Sequence, residues 1–472
     1  METRVGLFGI GLDTYWDQFE GLQERLTNYL NDIEDKISSY KVTVINAGLV
    51  DNPEGAKEKA DYFRQEKVEA IFLYVSTYAL SHTVLPIVQE LKVPVIVLNL
   101  QPVAAIDYEK FNALGDRGVM TGEWLAHCQA CSIPELACVF NQAGIDYSIV
   151  TGYMTEEYAW DKIRIWTESI KVRSLLKSTR FGILGHYYGG MLDVYTDVTG
   201  LSSVFGCHFE ILEMDELNRL RKEVTEEEIS RKIDEFNKEF SVSDECEKAE
   251  LIRAAHTSCA LDALVKTKDL GAMAYYYEGS PGNDHENIIT SVIAGNTLLT
   301  SNHIPVAGEC EVKNSVAMKI MDLFNAGGSF SEFYAMDFND DIVMWGHDGP
   351  AHMGMADGPV GLVPLSVYHG KPGKGLSIQM SVLKGLVTLL SVVQGAEGKT
   401  SLLVAEGESV EGPVLMIGNT NSRYKFPVSA RDFTEQWSYA GPSHHCAIGK
   451  GHIAEELKCL AKLLNIDCIQ VC

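Results

Sequence analysis

Four short segments gather the residue types able to do acid–base or metal chemistry. They are Gly308-Glu309-Cys310-Glu311-Val312-Lys313, Gly327-Gly328-Ser329-Phe330-Ser331-Glu332-Phe333, Trp345-Gly346-His347-Asp348 and Gly441-Pro442-Ser443-His444-His445. Singly each is weak, because a Glu after a strand is usually a cap or surface residue and a loop His is more often hydrogen-bonded than metal-bound. Carboxylates and imidazoles are nevertheless the side chains that hold divalent ions and move protons near neutral pH, so four such segments ask for one joint explanation. Two other patterns carry less. Gly6-Leu7-Phe8-Gly9-Ile10-Gly11 follows a strand but runs G-x-x-G-x-G instead of the dinucleotide order, and reads as a turn leaving a sheet. His127-Cys128-Gln129-Ala130-Cys131, with Cys138 nearby, lacks a second C-x-x-C, and reads as buried, unligated cysteines in an apolar helix.

In this order and at nearly these spacings, the four segments resemble the active-site motifs of the L-arabinose and L-fucose isomerase family. The L-arabinose enzymes carry a Gly-Glu-Gly-Asp-type segment, a Gly-Gly-x-Ser-Phe-x-Glu segment, a Gly-x-His and a late His-His. The likeness extends more loosely to Gly190-Met191-Leu192-Asp193-Val194 and to Tyr277-Glu278. It implies that Glu309, Glu332, His347 and His445 hold a divalent metal, Mn²⁺ in first place, and that the enzyme is a homo-oligomer, a hexamer by analogy. His444 is then placed to bind a substrate hydroxyl, with Met191 and Trp437 as further pocket residues. Tyr15 and Trp16 stand in the segment that the family extends to a neighbouring subunit's sugar. This chain departs from the arabinose pattern at residues 13–16 and 348–358, which leaves a pentose, a deoxyhexose or a modified sugar open as substrate.

Aldose–ketose interconversion moves a proton between C1 and C2. A metal chelated by O1 and O2 stabilises enediolate charge as a Lewis acid, and a carboxylate within hydrogen-bond reach takes and returns the proton. Glu309 and Glu332 can share the catalytic work if metal and burial drive their pKa values apart. A hydride shift normally uses two metals in a carboxylate-rich site, and one cluster is visible, so the cis-enediol route is the expectation. The rival readings are a sugar-binding or regulatory protein without catalysis, and an epimerase or aldolase on the same metal site.

The elements that must position these residues come in three blocks. Arg4–Ile10, Lys41–Asn46, Val68–Val75 and Val93–Leu98 read as short buried strands, alternating with helical stretches such as Tyr15–Ile37, Gly55–Gln65 and Ser81–Leu91, which predicts a parallel sheet covered on both faces. A helix from Glu156 to Leu176 leads to a strand at Arg180–Leu184 and a second α/β region, with a solvated, N-capped surface helix within residues 216–250. From about residue 326 the chain turns Gly-rich, with strands expected at Ile342–Trp345, Leu376–Ser381, Val387–Val393 and Val414–Gly418, then a helix at His452–Leu464 and a last strand at Asp467–Val471. The expectation is therefore α/β: two Rossmann-like domains with parallel sheets, 1–175 and 176–325, followed by a β-rich domain, 326–472.

Composition bounds the partners. With 472 residues and 46% hydrophobic content, the chain can bury several cores, and length scaling points to about three domains. A formal charge of −26 opposes phosphate backbones and anionic lipid heads, which makes nucleic acid and membrane surfaces poor partners; a small-molecule sugar as partner is what the resemblance implies. Eleven cysteines without framework spacing, and an N-terminus with no signal-peptide pattern, point to a reducing, cytoplasmic setting.

Overall fold

A computed structural model describes residues 2–278, 280, 282–367 and 373–472, which form two compact units, Met1–Ser174 and Leu175–Cys472. The chain is mixed α/β, with two parallel sheets and a β-rich C-terminal region of antiparallel sheets.

In the first unit, β1 (Arg4–Ile10), β2 (Thr43–Val50), β3 (Ala70–Tyr74), β4 (Val95–Gln101) and β5 (Tyr147–Tyr153) form one parallel sheet of order β2-β1-β3-β4-β5. That is a doubly wound order, reversing between β1 and β3. Every residue of β3 is buried, as a strand covered on both faces requires. Phe8, Phe63, Ile71, Leu73, Val97 and Phe140 share its core. Tyr15 and Trp16 follow β1 at the reversal. Both are half-buried; Tyr15 meets the Phe19 ring edge-on, and Trp16 Nε1 donates to Asp51 Oδ2 at 2.7 Å. Where the sequence predicts free cysteines in a helix, Cys128 and Cys131 are joined by a disulfide instead. A tight 3₁₀ turn over Gln129–Ser132 replaces the helix and brings their Cα atoms to 5.5 Å, within bridging range.

The second unit opens with β6 (Arg180–Gly185), β7 (His208–Leu212), β8 (Ser241–Val242), β9 (Ala272–Tyr276) and β10 (Val306–Ala307). Of these, β10-β9-β6-β7 make a parallel sheet. The charge-dense stretch forms two helices, Met214–Glu223 and Glu226–Glu239, the second begun by a reciprocal Thr225/Glu228 capping box. Its other face is not solvated: Ile229 and Phe236 are buried in the adjoining core.

Among the described residues nine strands follow: β11 (Gly327–Asp337), β12 (Ile342–His347), β13 (Gly361–Leu365), β14 (Gly375–Gln379), β15 (Gly385–Gln394), β16 (Thr400–Val410), β17 (Thr420–Lys425), β18 (His445–Lys450) and β19 (Asp467–Gln470). The order β15-β18-β11-β12-β17-β16 closes through a β15–β16 pairing, giving a six-stranded antiparallel barrel with β19 parallel on β16. Closure leaves these six strands without a free edge between them. A smaller sheet, β14-β13-β8, lies beside it. The expected strand at Val414–Gly418 is a loop. Gly412, Pro413 and Gly418 bracket it, Gly412 and Gly418 have positive φ, and Leu415, Met416 and Ile417 are exposed.

The helix Val312–Leu323 joins the two sheet systems. All its residues but the last are buried, and it touches β9 and β10 on one side and β11, β15 and β18 on the other. A helix apolar on one stripe only could not be covered this way. Here Lys313, Asn314, Lys319 and Asp322 are buried too, and Lys319 and Asp322 pair at 2.8 Å.

Candidate functional site

Gly308-Glu309-Cys310 links β10 to that buried helix. Glu309 and Cys310 both adopt left-handed backbone, with φ of 54° and 58°. Two successive non-glycine residues there cost about 1–2 kcal/mol each, and such strain persists only where surroundings over-determine it. They do: Cys310 N–H donates to the Tyr275 carbonyl at 2.9 Å, Glu311 N–H to Gly308 at 2.9 Å, and Cys310 is fully buried. The turn sends the Glu309 side chain into a cavity.

Three barrel strands bring the other groups. Glu332 of β11 stands directly opposite His445 of β18 and Gly346 of β12, so Glu332 and His445 share a face, and His347 follows Gly346 at the end of β12. The Phe330 ring, 1% exposed, is a wedge with its centroid 4.5 Å from that of His347 and 4.4 Å from that of His445.

The cavity, of about 280 Å³, is lined by Glu309, Glu332, His347 and Asp348 at one part of its wall and by Tyr188, Tyr276, Tyr334, Ile289, Leu365 and Ile417 elsewhere. One donor atom each from Glu309, His347 and His445 lie within 4.8 Å of one another, and the same holds for Glu332, His444 and His445. His445 Nε2 is 3.5 Å from Glu309 Oε2, and His347 Nε2 is 4.0 Å from Glu309 Oε1. Octahedral ligands about 2.1 Å from an ion are themselves about 3 Å (cis) to 4.2 Å (trans) apart, so these separations suit a divalent cation. The hydrogen-bond ledger agrees. His445 Nε2 is buried with no hydrogen-bond partner among the described residues, a state that ion ligation would relieve. The donors in both groups are imidazole nitrogens and carboxylate oxygens, a mixed set that suits a divalent ion, and among the described residues Glu332 gathers with His444 and His445 and not with Glu309 and His347.

The site's electrostatics are uneven. Burial pushes the Glu309 carboxyl up, but the His444 imidazole 3.3 Å away, together with His445 and His347, outweighs it and holds the group down at about 2. Burial, reinforced by the Glu309 charge, pushes Glu332 up to about 7. For His444, burial is outweighed by the carboxylates on its two nitrogens, Glu309 and Asp193, and its pKa rises to about 9. Burial, with the neighbouring His444 charge, pushes His445 down to about 3, which favours the neutral ring that ligation requires.

Other expected residues have different surroundings. Met191 is half-buried at the start of a 3₁₀ turn, Leu192–Val194, and it is Asp193 of that loop that reaches the histidines, its Oδ2 accepting from His444 Nδ1 at 2.6 Å and from the His444 backbone N–H at 3.0 Å. Trp437, expected at the pocket wall, is packed in the barrel core with its ring edge-on to Trp345, at 3% exposure. Sequence reasoning also left out Asn419, which donates to the Tyr334 hydroxyl at 2.7 Å on the cavity wall, and the tyrosines Tyr188 and Tyr276. The aromatic run Tyr275-Tyr276-Tyr277 before Glu278 was the available signal for the last.

No protein-family model matches this sequence. Two curated proteins are similar to it at a distance. One, a sulfoquinovose isomerase of Alkalicoccus urumqiensis, is 22% identical over 329 residues, covering 69% of this chain and 72% of its own length. The other, an L-arabinose isomerase of Shouchella clausii (strain KSM-K16), is 20% identical over 359 residues, covering 71% of this chain and 69% of its own.

Proposed function

We propose that this chain is a metal-dependent aldose–ketose isomerase acting on a pentose or deoxyhexose through a cis-enediol. The observation that carries it is the gathering of donor atoms of Glu309, His347 and His445 within 4.8 Å of one another, beside a cavity that Glu309, Glu332 and His347 line, in a chain similar along most of its length to two sugar isomerases. Glu309, Glu332, His347 and His445 would hold the ion, Mn²⁺ by preference, and when bound it supplies Lewis acidity toward O1 and O2 of the sugar. Glu309 and Glu332 are the catalytic carboxylates: facing the same cavity, one removes the proton from the carbon beside the carbonyl and the pair returns it to the neighbouring carbon. His444, whose two ring nitrogens face Asp193 Oδ2 and Glu309 Oε2, lies beside the ion site, and the hydroxyl-binding role the resemblance gives it requires one of those contacts to open when sugar arrives. The tyrosines present apolar faces and hydroxyl tips, which suits a ligand with alternating C–H and O–H groups.

The same reading divides the chain into domains at 1–175, 176–325 and 326–472, and makes it a cytoplasmic homo-oligomer, hexameric by resemblance, with Tyr15 and Trp16 serving a neighbouring subunit's sugar. Among the described residues no helix is long and apolar enough to cross a membrane. The deciding experiment incubates Mn²⁺-loaded protein with a panel of aldoses and ketoses in D₂O. Conversion of at least one pair, with deuterium at the carbon that received the proton, is expected. Absence of conversion across pentoses, deoxyhexoses and sulfonated hexoses would remove the isomerase reading, and product free of deuterium would point to a hydride shift or a fully shielded base.

A further inference from the structure

His444 and His445 have matching surroundings. His444 directs Nε2 to Glu309 Oε2 at 3.3 Å and Nδ1 to Asp193 Oδ2 at 2.6 Å. His445 directs Nε2 to the same Glu309 oxygen at 3.5 Å and Nδ1 to Glu311 Oε2 at 3.6 Å. Each ring thus has Glu309 on one side and a second carboxylate on the other.

Glu311 is the less expected of the two. Its side chain is 0% exposed, and burying a carboxylate is expensive unless other groups compensate. Its Oε1 accepts from Ser443 Oγ at 3.2 Å and lies 3.8 Å from Lys313 Nζ, which itself donates to the Asp193 carbonyl. Its Oε2 and the His445 Nδ1 are both buried, and neither has a hydrogen-bond partner among the described residues. The two unsatisfied atoms face each other a few tenths of an ångström beyond hydrogen-bond range. Glu311 is also two residues from Glu309, and Ser443 is two residues from His445, so this one carboxylate ties together the two segments that converge on the site.

We propose that Glu311 is a positioning residue for His445: it accepts the Nδ1–H, which fixes the imidazole tautomer and leaves the Nε2 lone pair aimed where Glu309 and His347 converge. The proposal rests on the metal reading above. An imidazole with its proton on Nε2 presents N–H to the ion and cannot ligate it, whereas a carboxyl oxygen accepting at Nδ1 removes that tautomer. Such partners are worth about 10- to 100-fold in metal affinity.

The test titrates chelator-stripped, full-length protein with MnCl₂ and reads free Mn²⁺ by electron paramagnetic resonance. Relative to wild type, Glu311→Gln is expected to bind about 10- to 100-fold more weakly, with Glu311→Asp between the two. In a His445→Ala background, Glu311→Gln should have little further effect, because the ring through which it acts is gone. Wild-type affinity in Glu311→Gln, or an equal loss in the His445→Ala background, would overturn the proposal. If Glu311→Gln does not fold, Glu311→Asp decides, and wild-type affinity there overturns it equally. A wild-type protein that does not bind Mn²⁺ at all removes the metal reading itself, an outcome distinct from a wild type that binds and a Gln variant that binds as well.

Discussion

Gly308→Ala puts one methyl group into the most crowded part of the site. A Cβ at Gly308 would lie 3.0 Å from Phe330 Cε1, 3.5 Å from Cζ and 3.7 Å from His347 Cε1. Carbon pairs rest at about 3.5–4.0 Å, so the ring must retreat by about 0.5 Å or more. The backbone offers no complication, since Gly308 does not have positive φ. Phe330 has little room, being wedged between the His347 and His445 rings, and its displacement reaches both. Overpacking of this kind costs about 1–3 kcal/mol, and metal–ligand distances tolerate only about ±0.2 Å. Mn²⁺ affinity should fall by the part of that cost incurred only when the ligands close on the ion, a factor of ten for every step of about 1.4 kcal/mol. Calorimetric titration of chelator-stripped protein measures it, beside a thermal melt of the metal-free form, which should show the overpacking cost. Gly308→Ala/Phe330→Leu, which restores the space, should recover part of both losses. Unchanged affinity in the single variant, or a double variant no better than the single, would refute the wedge.

Other outcomes follow from the same geometry. Glu309→Gln and Glu332→Gln should each lower turnover by about 10² to 10⁴, the worth of a positioned acid or base, with far-ultraviolet circular dichroism unchanged; wild-type turnover in either removes that residue from the mechanism. Trp437→Ala should cost about 3–5 kcal/mol of stability, as a large aromatic truncated in a core does, and a denaturant midpoint near wild type would contradict its core placement. Thr225→Ala removes the capping box and should cost about 1 kcal/mol, with turnover untouched.

Much of the α/β alternation is legible in the sequence because strands buried on both faces are continuous apolar runs, as in Ala70–Tyr74, and because helices such as Leu22–Ser38 bury Leu22, Leu26, Leu30, Ile33 and Ile37 at helical spacing. Val414–Gly418 reads wrongly for a related reason: an apolar run is ambiguous, and here the apolar side chains of Leu415 and Ile417 line the cavity instead of a sheet. Trp437, named among the pocket residues, is carried by a helix into the barrel core. Asp193 and Glu311 are invisible as partners of His444 and His445, since 251 and more than 130 positions separate them and only the folded chain supplies the contact. Barrel closure depends on β15–β16 register, and the left-handed turn at Glu309 and Cys310 uses no glycine to announce it.

The placement of Glu332 on β11 bears on how such a protein can diverge. The strand has two pairing irregularities, between Gly327 and Ser329 against β18 and between Phe333 and Ala335 against β12, and Glu332 lies in the regular stretch between them. Inserting or deleting one residue inside that stretch would turn Glu332 to the opposite face and away from His445. A length change at either bulge, or beyond it, can be absorbed where the register already slips. Relatives that keep this chemistry should therefore vary in loop length everywhere around β11 and keep the five residues from Ser329 to Phe333 ungapped.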